Sequence, residues 1–127
     1  MSYLKRVLEE VGGFDETFPC AAGEDADLKW RICQKDYKLL FIPVKVAHMQ
    51  EYNLTRFRKQ SFVRGIGVRY YQKCRGEQKS RFYYVTRFLA IPLTFVRDLV
   101  VFKRKKLGFV QVIHDLYSTL GKLSVKP

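Results

Sequence analysis

Apolar residues return every three or four positions in four stretches of the chain, the spacing of a helix with one buried face. In the first, Leu4, Val7, Leu8 and Val11 share a face. Ser2 is placed to cap this helix, and Gly12 to end it. The second stretch, Glu24 to Lys35, contains neither Gly nor Pro. Leu28 and Ile32 lie one turn apart on it, and Trp30 and Cys33 widen the apolar side. The third starts at Asn53 or Thr55, both good capping residues, and runs to about Cys74. Phe57, Phe62, Ile66 and Tyr70 alternate there with Arg56, Arg58, Lys59, Arg64 and Arg69, which read as a solvated basic face. Gly65 and Gly67 are expected to weaken its middle. The fourth, Gly108 to Leu120, aligns Phe109, Val112, Ile113, Leu116 and Leu120, and puts His114 and Asp115 on the polar side.

Two segments break the helical period. Lys38 to Ile42 is a short apolar run before Pro43, and Val44 to Ala47 continues it; both read as strands. The other is Phe88-Leu89-Ala90-Ile91-Pro92-Leu93-Thr94-Phe95-Val96, followed within a few residues by Lys103-Arg104-Lys105-Lys106. It is too short and too interrupted to span a bilayer, and Pro92 is expected to kink it. An apolar stretch closed by a basic cluster suits a membrane interface with anionic lipids. It equally suits a helical hairpin packed on the rest of the protein.

Charge divides the chain more sharply than hydropathy does. The 127 residues carry 24 Lys and Arg against 12 Asp and Glu, a net charge of +12. Residues 1–55 hold 7 basic and 9 acidic residues, whereas residues 56–127 hold 17 and 3. Such a split suggests chemistry in the first part and contact with an anionic surface in the second. Cys20, Cys33 and Cys74 are odd in number and lack metal-type spacing, as expected of reduced cytosolic thiols. Residues 1–12 are charged and amphipathic, unlike a signal peptide.

The candidate chemistry lies in the acidic first part. Gly12-Gly13-Phe14-Asp15-Glu16 is a glycine hinge followed by an aromatic residue, and Glu24-Asp25-Ala26-Asp27-Leu28 opens the second helix behind Gly23. Acids in a first turn often do no more than complement the helix dipole. A carboxylate presented at a sharp glycine turn can also accept a proton from an attacking hydroxyl. His48 follows the strand-like segment.

These pieces in this order, from Leu8-Glu9-Glu10-Val11-Gly12-Gly13-Phe14-Asp15-Glu16 through Gly23-Glu24-Asp25-Ala26-Asp27-Leu28-Lys29-Trp30-Arg31 and Tyr37–Pro43 to His48, resemble the C-terminal half of the catalytic domain of family 2 glycosyltransferases with the GT-A fold. The resemblance covers roughly residues 2–70. It implies an α/β fold, with residues 1–73 forming the acceptor-side portion of the transferase domain and residues 74–127 a basic, partly apolar helical extension. It implies transfer of a sugar from a nucleotide-sugar donor to a glycan acceptor hydroxyl with inversion, in the synthesis of cell-surface, cell-wall or lipid-linked polysaccharide at the cytoplasmic face of a membrane.

By the same resemblance Asp25 is the general base, and Glu24 orients it or binds acceptor hydroxyls. Gly12, Gly13 and Phe14 line the acceptor site, with the Phe14 ring plugging the core; apart from the resemblance, Arg64 is the cation of the third stretch read as steadying donor phosphates by charge-assisted bonds. His48 reaches a divalent metal, Mn²⁺ or Mg²⁺, or the donor diphosphate. Asp36 stands where the family usually has Gly, a turn that Asp tolerates at some cost. The donor-side Asp-x-Asp motif that the family carries ahead of its acidic helix, and its nucleotide-binding strands, are absent from the 127 residues, so the donor-binding half is expected elsewhere, and the chain is expected to self-associate or to require that half. The competing expectation is a basic peripheral module without catalysis that binds membrane. Nucleic acid is disfavoured, since no recognised binding motif is present and the apolar run serves no such purpose.

Overall fold

The computed structural model describes residues 2–45, 47, 53–77, 79–100 and 105–125, and among them every regular element is a helix. In chain order these are α1 (Lys5–Glu10), α2 (Glu24–Gln34), α3 (Leu54–Cys74), α4 (Arg81–Leu89), α5 (Ile91–Val100) and α6 (Lys105–Ser124). The expected α/β architecture is therefore wrong: the described residues contain no strand. Residues 38–45 run without regular structure, and Phe41 is 90% exposed. The apolar content of Leu39–Ile42 is real, but a strand exists only through hydrogen bonds to a neighbour. Here Val44 N–H turns back to the Ile42 carbonyl across Pro43 instead, at 2.8 Å. The second expected strand, Val44–Ala47, and His48 fall partly or wholly outside the described residues.

Two small packing centres carry the fold. In the first, Val7 of α1 meets Leu28 and Ile32 of α2, with Tyr3, Leu8, Val11 and Tyr37 around them. The second is larger and joins α3 to α6, with α4 and α5 packed on α6. It is built on small residues. A Cβ added at Gly65 would lie 2.0 Å from the Ser118 carbonyl oxygen, and one at Gly121 would lie 2.1 Å from that of Phe62. Ser61 and Ser118 are buried in the same seam. Gly65, expected to weaken α3, thus lets the backbones of α3 and α6 touch, an approach that a side chain there would block.

Helix ends follow local chemistry with two exceptions. Gly12 and Gly13 both have positive φ, and their N–H groups reach the Glu9 and Leu8 carbonyls, the double bond of a Schellman cap. Asp36 takes φ 60° after α2, as expected of an Asp in a glycine's place. Asn53 caps α3 by accepting from Arg56 N–H at 2.8 Å. Ser2, in contrast, caps nothing: α1 starts at Lys5 behind Leu4. Pro92 does not kink one helix but sits in the first turn of a second, where its missing N–H costs least. Apolar positions place α6 correctly but not its ends, which extend beyond Gly108 and Leu120 on both sides.

Candidate functional site

Gly23 creates the acidic corner. It has φ 95°, and its Cα lies so close to α3 that an added Cβ would meet the Gly67 carbonyl oxygen at 2.9 Å. Gly67 in turn leaves no room for a side chain, since a Cβ there would be 2.0 Å from the Ala22 oxygen. Two glycines therefore press the connector before α2 against the middle of α3. Phe18 and Tyr70 meet edge-on at 4.8 Å beside this crossing, and Arg75 stacks over Trp30 at 4.5 Å, fastening α2 to the end of α3.

The three acids of α2 have different fates. Asp27 is buried and accepts from Arg31 Nε at 2.7 Å. The same guanidinium donates to the Val11 carbonyl and, at 2.8 Å, to that of Gly13. Asp27 and Arg31 thus clamp the glycine hinge to α2, a structural task. Asp25 is exposed, with Lys29 Nζ 3.4 Å from its carboxylate one turn on. Glu24 is half-buried, and its Oε2 is enclosed without a hydrogen-bond partner in the protein. A buried acceptor in that state is costly unless a donor reaches it.

A groove of about 410 Å³ opens directly before this corner. Ala21 and Ala22 form one wall, and Arg56, Lys59, Gln60, Val63 and Arg64 of α3 form the other. Arg64, picked out from sequence alone, is thereby brought together with the loop that leads into Glu24 and Asp25. Arg56 and Lys59, read only as part of a solvated face, join it; their spacing along α3 was the available signal. Cys20 lies under the loop with its thiol toward the Val63 carbonyl, and burial, helped by the Glu24 charge, pushes its pKa up.

Other expected site residues stand differently. Gly12 and Gly13 form the hinge held by Arg31. Phe14 is half exposed and plugs no core, because the packing position near the crossing is taken by Phe18. Asp15 is structural: it accepts from Thr17 N–H and Oγ1, bonds that hold its carboxyl below the ordinary carboxylate value. His48 lies outside the described residues. Among those described, no three His, Cys, Asp or Glu side chains gather to hold a metal, and Glu24 with Asp25 alone does not constitute a divalent-cation site.

Two residues depart from the surface roles given to them. Arg69 is buried rather than solvated. It donates to the Lys79 carbonyl and lies 4.7 Å from the Tyr84 ring centre. His114 is half-buried, with Nδ1 3.1 Å from Ser61 Oγ. Together with Asp115 it lines a second, smaller cavity of about 170 Å³, to which Tyr83, Arg87, Thr119 and Lys122 also contribute. No family model, curated protein or solved structure matches the chain.

Proposed function

We propose that this chain is the acceptor-side portion of an inverting sugar transferase that uses a nucleotide-sugar donor. The observation that carries the reading is at Gly23: Ala21 and Ala22, which wall a groove lined by Arg56, Lys59 and Arg64, run straight into the turn that opens α2 with the exposed Asp25. Sugar transfer with inversion requires one base to take the proton of the acceptor hydroxyl as its oxygen attacks the anomeric carbon. The bond to the nucleoside diphosphate breaks on the opposite side, and the departing phosphates need positive charge.

Asp25 is the base in this scheme. Its carboxylate is solvent-facing, and Lys29 restricts its movement. Glu24, half-buried one residue before Asp25, suits a role in orienting that base. Guanidinium groups of Arg64 and Arg56, with the Lys59 ammonium, suit phosphate oxygens through charge-assisted hydrogen bonds. A divalent metal, where one takes part, would supply further neutralisation of the diphosphate; the described residues do not provide its ligands, so no step here depends on it. Gly12, Gly13 and the half-exposed Phe14 ring form the neighbouring loop, where an apolar face could carry a sugar ring.

The test is sugar transfer by the complete polypeptide or assembly containing this sequence, with Asp25→Asn as the decisive variant. Transfer should fall by at least roughly a hundredfold, the usual contribution of a general base, while the donor is still bound. Unchanged turnover would remove Asp25 from the chemistry.

A further inference from the structure

The residues of α4 and α5 have their apolar character on the wrong side for a globular protein. Toward α6 the two helices bury Tyr84 and Ile91. On the opposite side Phe82, Val85, Leu89, Leu93, Val96 and Val100 follow one another at intervals of three, four, four, three and four residues. All six are exposed, Phe82 at 75%, Leu89 at 71% and Leu93 at 73%. That spacing makes one continuous stripe across the break at Ala90. The packed inner face accounts for the seating of both helices on α6; the outer face meets no partner among the described residues. A contiguous apolar strip of this kind marks a contact surface.

We infer that this outer face lies in the plane of a membrane whose surface carries anionic lipid. Charge selects that occupant over the others. Arg81, Arg87 and Arg97 outnumber the one acid, Asp98, on the same two helices, and the sequence continues into Lys103-Arg104-Lys105-Lys106. A second copy of the chain brought face to face would oppose these like charges. Nucleic acid would meet the cations but has no use for six aliphatic and aromatic side chains in a row. An anionic bilayer accepts both, with the stripe among the acyl chains and the cations at the phosphates. Among the described residues no helix is long and apolar enough to cross the bilayer, so the contact is with one leaflet. The inference stands apart from the sugar-transfer reading and survives if that reading fails.

Sedimentation of the 127-residue chain with vesicles of phosphatidylcholine, alone or with about a third phosphatidylglycerol, tests it. The chain should pellet with the anionic vesicles, less so as salt rises, and Leu89→Glu/Leu93→Glu should weaken binding by more than roughly tenfold. Leu4→Glu, at an equally exposed leucine on the N-terminal side of α1, should bind like the parent. If circular dichroism shows the double glutamate variant unfolded, Arg97→Gln replaces it, with an expected loss of roughly fivefold for the one charge. Equal pelleting with neutral and anionic vesicles overturns the inference. So does parent-like binding by the folded stripe variant, or a concentration-dependent dimer that this variant abolishes while vesicle binding persists.

Discussion

Arg31 donates from Nε to the buried Asp27 carboxylate at 2.7 Å, and its other two nitrogens hold the carbonyls of Val11 and Gly13. One guanidinium therefore ties the glycine hinge to the acidic helix. Removing Arg31 strands the buried Asp27 carboxylate, and removing Asp27 leaves a largely covered guanidinium without its anion. Asp27→Ala should cost about 3 kcal/mol in chemical denaturation, whereas Asp25→Ala, which breaks only an exposed pair, should cost under about 1 kcal/mol. Equal losses would contradict the division of labour between these two acids.

Gly67→Ala should be as damaging as a core mutation, although it adds a single methyl group. Its Cβ would meet backbone, the Ala22 carbonyl, which cannot rotate away as a side chain could. A loss of about 2 kcal/mol or more in thermal or urea unfolding is expected. Gly76→Ala is the comparison: its φ of 69° imposes strain, but nothing lies within 4 Å, so about 1 kcal/mol is expected.

Burial lowers the pKa of Lys122, and neighbouring Arg87 lowers it further, against an opposing pull from Asp115 and Tyr83. Asp115, Tyr83, Arg87 and His114 all line its cavity. Because the folded value lies below the unfolded one of 10.5, the unfolded chain binds the extra proton in the window between them. Stability attributable to Lys122 therefore rises with pH through that window and is at its lowest below it. Lys122→Met should remove the rise. Melting temperatures of parent and variant from pH 7 to 10.5 should diverge most at the lower end; parallel curves would contradict the assignment.

The three cysteines should report on the acidic corner. Burial pushes up the Cys20 thiol pKa, with the Glu24 charge adding to the effect, and burial likewise raises that of Cys74. Cys33 is exposed on α2. Iodoacetamide at neutral pH should modify Cys33 first and Cys20 slowly, since the thiolate is the reactive form. Mass spectrometry of partly labelled protein gives the order, and rapid modification of Cys20 would show that the crossing at Gly23 and Gly67 opens readily.

Local chemistry was written plainly in the residues, and pairing partners were not. The Gly12 cap, the Asp36 turn and the Asn53 cap each depend on neighbours within a few positions, so the sequence announces them. Leu39 to Ile42 has strand-like composition, but a strand depends on a second segment brought from afar, and none of the described residues pairs with it. The same limit applies to Gly65 and Gly67. As helix residues they read as weak points, and only the approach of Ser118 and Ala22 turns them into contacts. Arg64 was visible as a candidate because cations on α3 are dense. Its grouping with Arg56 and Lys59 against Ala21 and Ala22 required the fold. Arg69 shows the converse: nothing in an Arg-rich helix marks which cation is buried.

The isolated 127-residue chain supplies cations for phosphate but no described floor for a nucleoside. Calorimetry with nucleotide sugars and Mn²⁺ should therefore show no micromolar binding. Micromolar affinity would mean that this portion holds the donor without help.

We propose that Asp25, presented by Gly23 where the Ala21–Ala22 wall of the groove enters α2, takes the acceptor's proton. Its most direct test is sugar transfer by the complete polypeptide or assembly, comparing Asp25→Asn with the parent and following nucleotide release and glycosylated product by mass spectrometry. The account predicts that the variant binds donor normally and loses transfer by at least roughly a hundredfold. Transfer at the parental rate, or a parent that consumes no nucleotide sugar at all, would contradict it.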